Sequence, residues 1–140
     1  MHDDGLTLAA AQQLIASAID EAVRREVRVA VAVTDFGGRV VAFARMDGVS
    51  YVIGGTAAPK AVAAGAFGAP THVLVAGMAQ SPAMAANFAL AAARNPEMLV
   101  VPGGLPVMRG GRCIGGLGVS GGRGDDDQVI GIAALMAFPL

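Results

Sequence analysis

Two short glycine-containing turns constrain the fold of this chain more than any other feature. The run Asp35-Phe36-Gly37-Gly38-Arg39 separates two β-branched segments, Arg28 to Asp35 and Val40 to Asp47. Farther along, Gly110-Gly111 leads into a second pair of extended segments, which ends with Arg112 to Ser120. Parallel strands need a crossover of roughly a dozen residues or more, whereas a tight turn joins antiparallel neighbours. Each turn therefore predicts a β-hairpin, and together they predict an antiparallel sheet.

Four other stretches show helical spacing or helix-start signals: Thr7 to Val23, Thr56 to Phe67, Ser81 to about Arg94, and Asp125 to Ala137. Thr7 and Ser81 stand where a side-chain oxygen caps a first turn. The acids of Asp125-Asp126-Asp127 favour the positive N-terminal end of a helix. The order helix, hairpin, two helices, hairpin, helix predicts an α/β (α+β) fold with helices packed on the sheet.

The first predicted strand has apolar or small residues on both faces. Val29, Val31 and Val33 alternate with Ala30, Ala32 and Thr34. A strand of this kind is typical of a sheet that is covered on both sides.

Composition limits the partners of the protein. The 140 residues fit one domain, residues 1–140, of which 54% are apolar and 15% charged. Polar side chains are too few to cover a monomer, so we expect a homo-oligomer. A net charge of -1 and 4% aromatic residues argue against nucleic acid and acidic membrane surfaces as partners.

Cysteine usage and the N-terminal sequence predict a cytoplasmic protein. The one cysteine, Cys113, suits a reducing compartment. The N-terminus shows no basic-then-apolar signal segment. The longest apolar stretches are short or broken by Gly, Pro and His, so no membrane span is expected.

Three catalytic motifs occur without the residues that they need. Gly118-Val119-Ser120-Gly121-Gly122 matches a nucleophile elbow, but no histidine follows Ser120. Gly116 to Gly121 matches G-x-G-x-x-G, but the aspartates that open the next helix would repel a pyrophosphate. Close packing of strand and helix backbones is the simpler explanation of these glycines. Asp35-Phe36-Gly37 spells a kinase motif in a chain too short for a kinase.

Metal-binding spacings are also missing from the sequence. It contains no H-x-x-x-H, C-x-x-C or H-E-x-x-H, so we predict no dedicated metal site. Asp125-Asp126-Asp127 could hold a hard cation weakly, but a solvated helix cap explains this run better.

Five side chains remain as candidates for chemistry. Lys60 lies in an apolar helix, where it either reaches water or meets an anion in a pocket. Arg45 and Asp47 form an edge ion pair or the polar rim of a pocket. His72 is a structural residue or a ligand. Cys113, like several methionines, is a soft atom for a metal or tetrapyrrole, or core filler.

The order of several short motifs resembles the GlcG/HbpS family, which also forms the C-terminal domain of PduO-type proteins. The resemblance covers nearly the whole chain and rests on these pieces: Leu6-Thr7-Leu8, residues 31–38, Arg45-Met46-Asp47-Gly48, Lys60-Ala61, Pro70-Thr71, residues 103–107, residues 115–121 and Asp126-Asp127. It implies a profilin-like antiparallel sheet of about five strands with helices on both faces, assembled into oligomers. Some relatives bind haem, whereas others accompany cobalamin, glycolate or small oxo-acid metabolism.

The resemblance also suggests which positions line the family's ligand pocket. Lys60 matches the lysine on the family's second helix, and Arg45 and Asp47 match its R-M-D-G motif. Gly103 and Gly104 match the loop before the third strand. These positions are therefore candidates for holding a ligand or cofactor.

Two functional hypotheses follow. The first is an oligomer that binds haem or a related tetrapyrrole, with His72, Cys113 or a methionine near the iron and Lys60 or Arg45 near a propionate. The second is a cofactor-free isomerase, hydratase or hydrolase acting on a small unsaturated oxo- or hydroxy-acid. There, Arg45 or Lys60 would anchor the carboxylate, and Asp47, His72 or a C-terminal acid would move a proton. A purely structural oligomer is a third alternative.

Overall fold

The two predicted hairpins meet edge to edge in one antiparallel sheet. The structure is a computed structural model that describes residues 5–140, so the first four residues of the predicted domain lie outside it. Its strands are β1 (Ala30–Asp35), β2 (Val40–Arg45), β3 (Gly104–Arg109) and β4 (Arg112–Ser120). Their order is β2-β1-β4-β3, and every neighbouring pair is antiparallel.

The expectation of about five strands is wrong, because the sheet within residues 5–140 has four. The chain between the hairpins, from Tyr51 to Arg94, is almost entirely helical. The hairpins therefore supply every strand of the described sheet.

The turn between β3 and β4 shows why glycine is needed there. Gly110 and Gly111 have φ values of 56° and 76°. Positive φ at both central residues is the requirement of a type I′ hairpin turn, and glycine meets it without steric cost.

The helices are α1 (Leu8–Arg24), α2 (Tyr51–Gly54), α3 (Ala57–Phe67), α4 (Thr71–Gln80), α5 (Pro82–Arg94) and α6 (Asp126–Ala137). The predicted caps are confirmed: Thr7 Oγ1 accepts from the Ala10 amide at 3.1 Å, and Ser81 Oγ accepts from the Met84 amide at 3.2 Å. The prediction of two helices between the hairpins is wrong, because α2 and α4 lie there as well. The first has only four residues, and the second has polar side chains only at its ends, so neither shows a clear amphipathic period.

Helices cover both faces of the sheet, as the two-sided apolar pattern of β1 predicted. Val29, Val31 and Val33 pack into the core beneath α1 and α6. Ala30 and Ala32 point to the other face, where they pack against Ala57 of α3.

The glycines of β4 set how closely α3 approaches the sheet. A Cβ at Gly116 would collide with the carbonyl oxygen of Ala61, and a Cβ at Gly118 with that of Ala57. The interpretation of these glycines as close-packing residues is therefore confirmed. Close approach of α3 brings Lys60, the one polar residue of this helix, directly against the end of β4.

The α4–α5 pair packs much less closely than the rest of the chain. Thr71 is its one buried residue in the described structure, and α5 has none. Within residues 5–140 no single helix is long and apolar enough to cross a membrane. Only the segments Tyr51–Phe67 and Thr71–Gln80 together meet that test, and they are bent by 72° at their junction.

Candidate functional site

Lys60 lies at the centre of a buried polar cluster. It projects from α3, is 6% exposed, and donates from Nζ to the Val119 carbonyl oxygen at 2.9 Å. Nζ also lies 3.2 Å from Asp127 Oδ2 at the start of α6. The ammonium group therefore joins α3, β4 and α6, and its charge is paired inside the protein.

Asp127 completes this cluster and was not among the predicted site residues. Its second oxygen, Oδ1, accepts from the Gly122 amide at 2.7 Å, so both carboxylate oxygens have partners within the protein. A lysine whose ammonium group is buried between a helix and a sheet needs an acid nearby, because an unpaired buried charge is strongly destabilising. The sequence contains three adjacent aspartates that could meet this need, and only the placement of α6 selects one of them.

Gly103 and Gly104, two further candidates from the sequence, lie beside Lys60. A Cβ at Gly103, whose φ is 121°, would stand 2.9 Å from Lys60 Nζ, and one at Gly104 would collide with the Lys60 carbonyl oxygen. The Gly104 amide donates to Thr71 Oγ1 at 2.8 Å. The structure thus brings three of the predicted residues together and adds Thr71 and Asp127 to them.

His72 follows Thr71 but takes no part in the cluster. Its ring is half-buried on α4, and Nδ1 is buried without a hydrogen-bond partner. It makes no hydrogen bond or ion pair with Lys60, Arg45 or Asp47 in the described structure. An unpartnered buried nitrogen costs about 1–3 kcal/mol, so this part of α4 is incompletely satisfied in the isolated chain.

Arg45 is the last residue of β2, and Asp47 follows it, so both lie on the side of β1 away from β4. Within the described structure they form no ion pair with each other. Arg45 is exposed and extends over α2, where a Cβ at Gly54 would stand 2.9 Å from its Cδ. The backbone oxygen of Asp47 accepts from Arg28 Nη1 at 2.6 Å, and its side chain is exposed. The predicted residues therefore occupy separate places in the fold.

Cys113 lines the wall of a cavity of about 620 Å³, which we call the Cys113 cavity. The cavity lies where β1 ends and β4 begins, and its walls include Leu6, Phe36, Val41, Arg112, Cys113 and Ile114. Phe36 is 70% exposed, so the cavity opens on the surface. The half-buried Cys113 Sγ lies 3.5 Å from the Gly65 oxygen and 3.4 Å from the Gly115 oxygen, which are weak sulfur contacts.

The serine of the nucleophile-like motif is buried and engaged. Ser120 Oγ shares a 2.6 Å hydrogen bond with Thr56 Oγ1. Neither hydroxyl contacts a histidine in the described structure, so the motif lacks the base that a serine nucleophile requires.

The acidic start of α6 is held by arginines. Asp126 Oδ1 accepts from Arg25 Nη2 at 2.9 Å and Nε at 3.0 Å. A hydrogen bond from the Arg123 amide, followed by the one from Arg25, holds the pKa of the Asp126 carboxyl below its ordinary value. No group of three or more His, Cys, Asp or Glu side chains within residues 5–140 is arranged to hold a metal ion.

Comparisons with known proteins agree over nearly the full length of the chain. The family model described as "Haem degrading protein HbpS-like" matches residues 6–136. A 15.0 kDa protein of Citrobacter freundii is 29% identical over 133 residues, which cover 95% of this chain and 92% of that protein.

Solved structures show the same fold. ORFY of Klebsiella pneumoniae superimposes with a TM-score of 0.86 at 30% identity and covers 99% of this chain and 93% of its own. A double mutant of HbpS from Streptomyces reticuli has a TM-score of 0.84 at 29% identity, with 100% and 91% covered. A PduOC:haem complex has a TM-score of 0.84 at 30% identity, with 96% of each chain covered.

Proposed function

This chain belongs to the HbpS-like family, and from that membership we propose that it binds haem or a related tetrapyrrole in the Cys113 cavity. A relative of 30% identity was solved as a complex with haem. The observation that carries the proposal is the cavity itself, whose lining combines apolar side chains and Cys113 with one guanidinium, from Arg112, and one carboxylate, from Asp35.

The residues of this cavity match the chemistry of haem. Its volume of about 620 Å³ lies within the roughly 300–1,000 Å³ of small-molecule and cofactor pockets. Leu6, Phe36, Val41 and Ile114 supply apolar surface for a porphyrin ring. Bound there, haem would supply an iron centre, and Cys113 Sγ is the soft atom of the wall that can ligate iron.

Arg112 is the cation that we assign to a propionate. A guanidinium binds a carboxylate by paired, charge-assisted hydrogen bonds. Lys60 and Arg45, which the sequence suggested for this role, lie elsewhere. Lys60 is paired with Asp127, and Arg45 is near the opposite end of the sheet.

A haem titration of the Cys113→Ala variant tests the proposal. We expect the Soret band of micromolar haem to shift when wild-type protein is added. The variant should show a displaced band and a Kd raised about tenfold or more, because the iron ligand is lost. Arg112→Gln should raise Kd while it leaves the band position unchanged, because it removes only a propionate contact.

His72→Ala serves as the control, since His72 lies outside the cavity and should leave both the band and Kd unchanged. Two outcomes contradict the proposal. One is the absence of any Soret change with wild-type protein, and the other is a loss of haem binding in His72→Ala with normal binding in Cys113→Ala.

We also propose that the α4–α5 pair is the surface on which a second copy of this chain packs. Val73, Met84 and Leu90 are exposed there, and α5 has no fully buried residue in the described structure. Arg94, the last residue of α5, is the one formal charge on these two helices. Two such apolar surfaces bury each other at little electrostatic cost, and symmetric self-association is the commonest kind of assembly.

The Leu90→Glu variant tests this assembly. We expect the wild type to be larger than its 13.9 kDa chain mass in multi-angle light scattering. Leu90 is 54% exposed in the isolated chain and would be covered by the second copy. A carboxylate there would be buried without a partner, so the variant should be monomeric. Val23→Glu, at an equally apolar and 61% exposed position on α1, should keep the wild-type mass. A monomeric wild type at micromolar concentration would contradict the proposal.

A further inference from the structure

A second cavity lies at the opposite end of the sheet from the Cys113 cavity. It occupies the place where β1 begins and where β2 and β4 end, and its volume is about 420 Å³. Residues of its wall include Glu26, Arg28, Gly48, Ser50, Gly121 and Arg123. Two arginines therefore face one small space, which we call the Arg28–Arg123 cavity.

Within the described part of the chain, neither guanidinium forms an ion pair. The ion pairs found within residues 5–140 join Arg24 to Glu21, Arg25 to Asp126 and Lys60 to Asp127. Of the three aspartates that follow Arg123, Asp126 is thus held by Arg25 and Asp127 by Lys60. Two cations that line one cavity and form no ion pair with its one acid, Glu26, give a site where an anion gains charge-assisted hydrogen bonds.

The protein holds Arg28 in position by its own backbone. Arg28 Nη1 donates to the Asp47 carbonyl oxygen at 2.6 Å, which uses one of five donors of the guanidinium. Gly48 leaves room for this contact, because a Cβ there would lie 3.2 Å from Nη1. The remaining donors can serve a ligand at little further entropic cost.

Arg123 is fixed in a similar way at its backbone. Its amide donates to Asp126 Oδ2 at 3.0 Å, at the entrance to α6. Its side chain is free of hydrogen bonds in the described structure and extends from an exposed position on the cavity wall.

Glu26 adds a carboxylate to the same wall in an uncommon backbone conformation. Its φ of 59° is the one positive value at a non-glycine residue within residues 5–140. The Val27 amide donates to the Ala22 oxygen at 3.0 Å and the Glu26 amide to the Val23 oxygen at 3.1 Å, so Glu26 stands just after the helix end, where glycine is usual. Its carboxylate can accept from a hydroxyl or an ammonium group of a ligand.

We infer that the Arg28–Arg123 cavity binds a small dicarboxylic acid that carries a hydroxyl or amino group. Each guanidinium pairs with one carboxylate, and Glu26 accepts from the hydroxyl or amino group. The lining has a net charge of +1, the sum of two arginines and one glutamate. It changes to -1 when a hydroxy dicarboxylate binds, and to 0 when an amino dicarboxylate binds with its ammonium group protonated. This site lies apart from the Cys113 cavity and does not depend on haem.

Titration of the full chain with malate, aspartate, succinate and inorganic phosphate at constant ionic strength tests the inference. We expect saturable amide shifts at Gly48 and Gly121 in two-dimensional NMR spectra. Malate or aspartate should bind more tightly than succinate, because only these two have a donor for Glu26. Arg28→Gln and Arg123→Gln should each raise Kd about tenfold or more. Arg39→Gln, on the exposed β1–β2 turn, is the control and should leave Kd unchanged.

The Glu26→Gln variant tests whether the ligand is a hydroxy or amino dicarboxylic acid and not a simple anion. The variant should bind succinate more tightly than wild type does and lose the preference for malate or aspartate. Three results would overturn the inference: shifts that do not saturate, equal affinity in the Arg39→Gln and Arg28→Gln variants, or phosphate binding at least as tight as malate. The haem titrations of these variants should match wild type, so that failure of one site is distinguishable from failure of the other.

Discussion

Replacing Gly118 with alanine is expected to destabilise the protein by about 3 kcal/mol or more. The new Cβ would overlap the Ala57 carbonyl oxygen and stand 2.9 Å from both the Ala57 carbonyl carbon and the Ala61 nitrogen. These are backbone atoms in the first turns of α3, so no side-chain rotation relieves the overlap. The helix must move off the sheet, and a loss of that size is a large part of the roughly 5–15 kcal/mol that holds a domain folded.

Urea denaturation followed by circular dichroism measures this loss. Gly37→Ala is the matched control, because its nearest contact would be Asp35 Oδ1 at an ordinary 3.4 Å and its backbone is not left-handed. The control should change the free energy of unfolding by no more than about 0.5 kcal/mol. Equal stability of the two variants would mean that α3 is not seated as closely on β4 as the structure shows.

Removing the buried ammonium group in Lys60→Met should cost about 2–4 kcal/mol. The change leaves Asp127 Oδ2 and the Val119 oxygen without their donor in a nearly closed cluster. Asp127 retains some access to water, with a side chain that is 16% exposed, which moderates the loss. By contrast, Arg24→Ala breaks an exposed pair with Glu21 and should cost less than about 0.5 kcal/mol.

A double-mutant cycle with Asp127→Asn isolates the pair. If Lys60 and Asp127 act together, the double variant should lose about 1–3 kcal/mol less than the sum of the single losses. A Lys60→Met variant as stable as wild type would show that the ion pair contributes little to folding. Lys60 would then be more available to a ligand than its burial indicates.

Much of the fold could be predicted because its signals are local. Each hairpin depends on a turn of a few residues, and the two-sided burial of β1 is visible in its alternating valines and alanines. The helix α4 could not be predicted from period, because residues 73–79 include no polar side chain that would mark an exposed face. The expected fifth strand came from the resemblance and not from any segment of this chain.

The candidate sites depended on contacts that are distant in sequence. Lys60 was identified as exceptional because it is the one charge in an alanine-rich helix, but Asp127 looks no different from Asp125 and Asp126. Arg45 and Asp47 are close in sequence, yet they form no ion pair with each other in the part of the chain that the structure describes. Their neighbour Arg28, which contacts the Asp47 backbone, has no distinguishing pattern around it.

The strand order has a consequence for how fast this chain folds. The two central strands come from different hairpins, and Ala30 pairs with Ser120, which is 120 − 30 = 90 positions away. Each hairpin can form within microseconds. Joining the two hairpins requires closure of a long loop, and its entropic cost comes before the contacts between β1 and β4 form. Docking of the two halves is therefore the slow event, and folding belongs to the millisecond range or slower, well behind helical bundles of equal length.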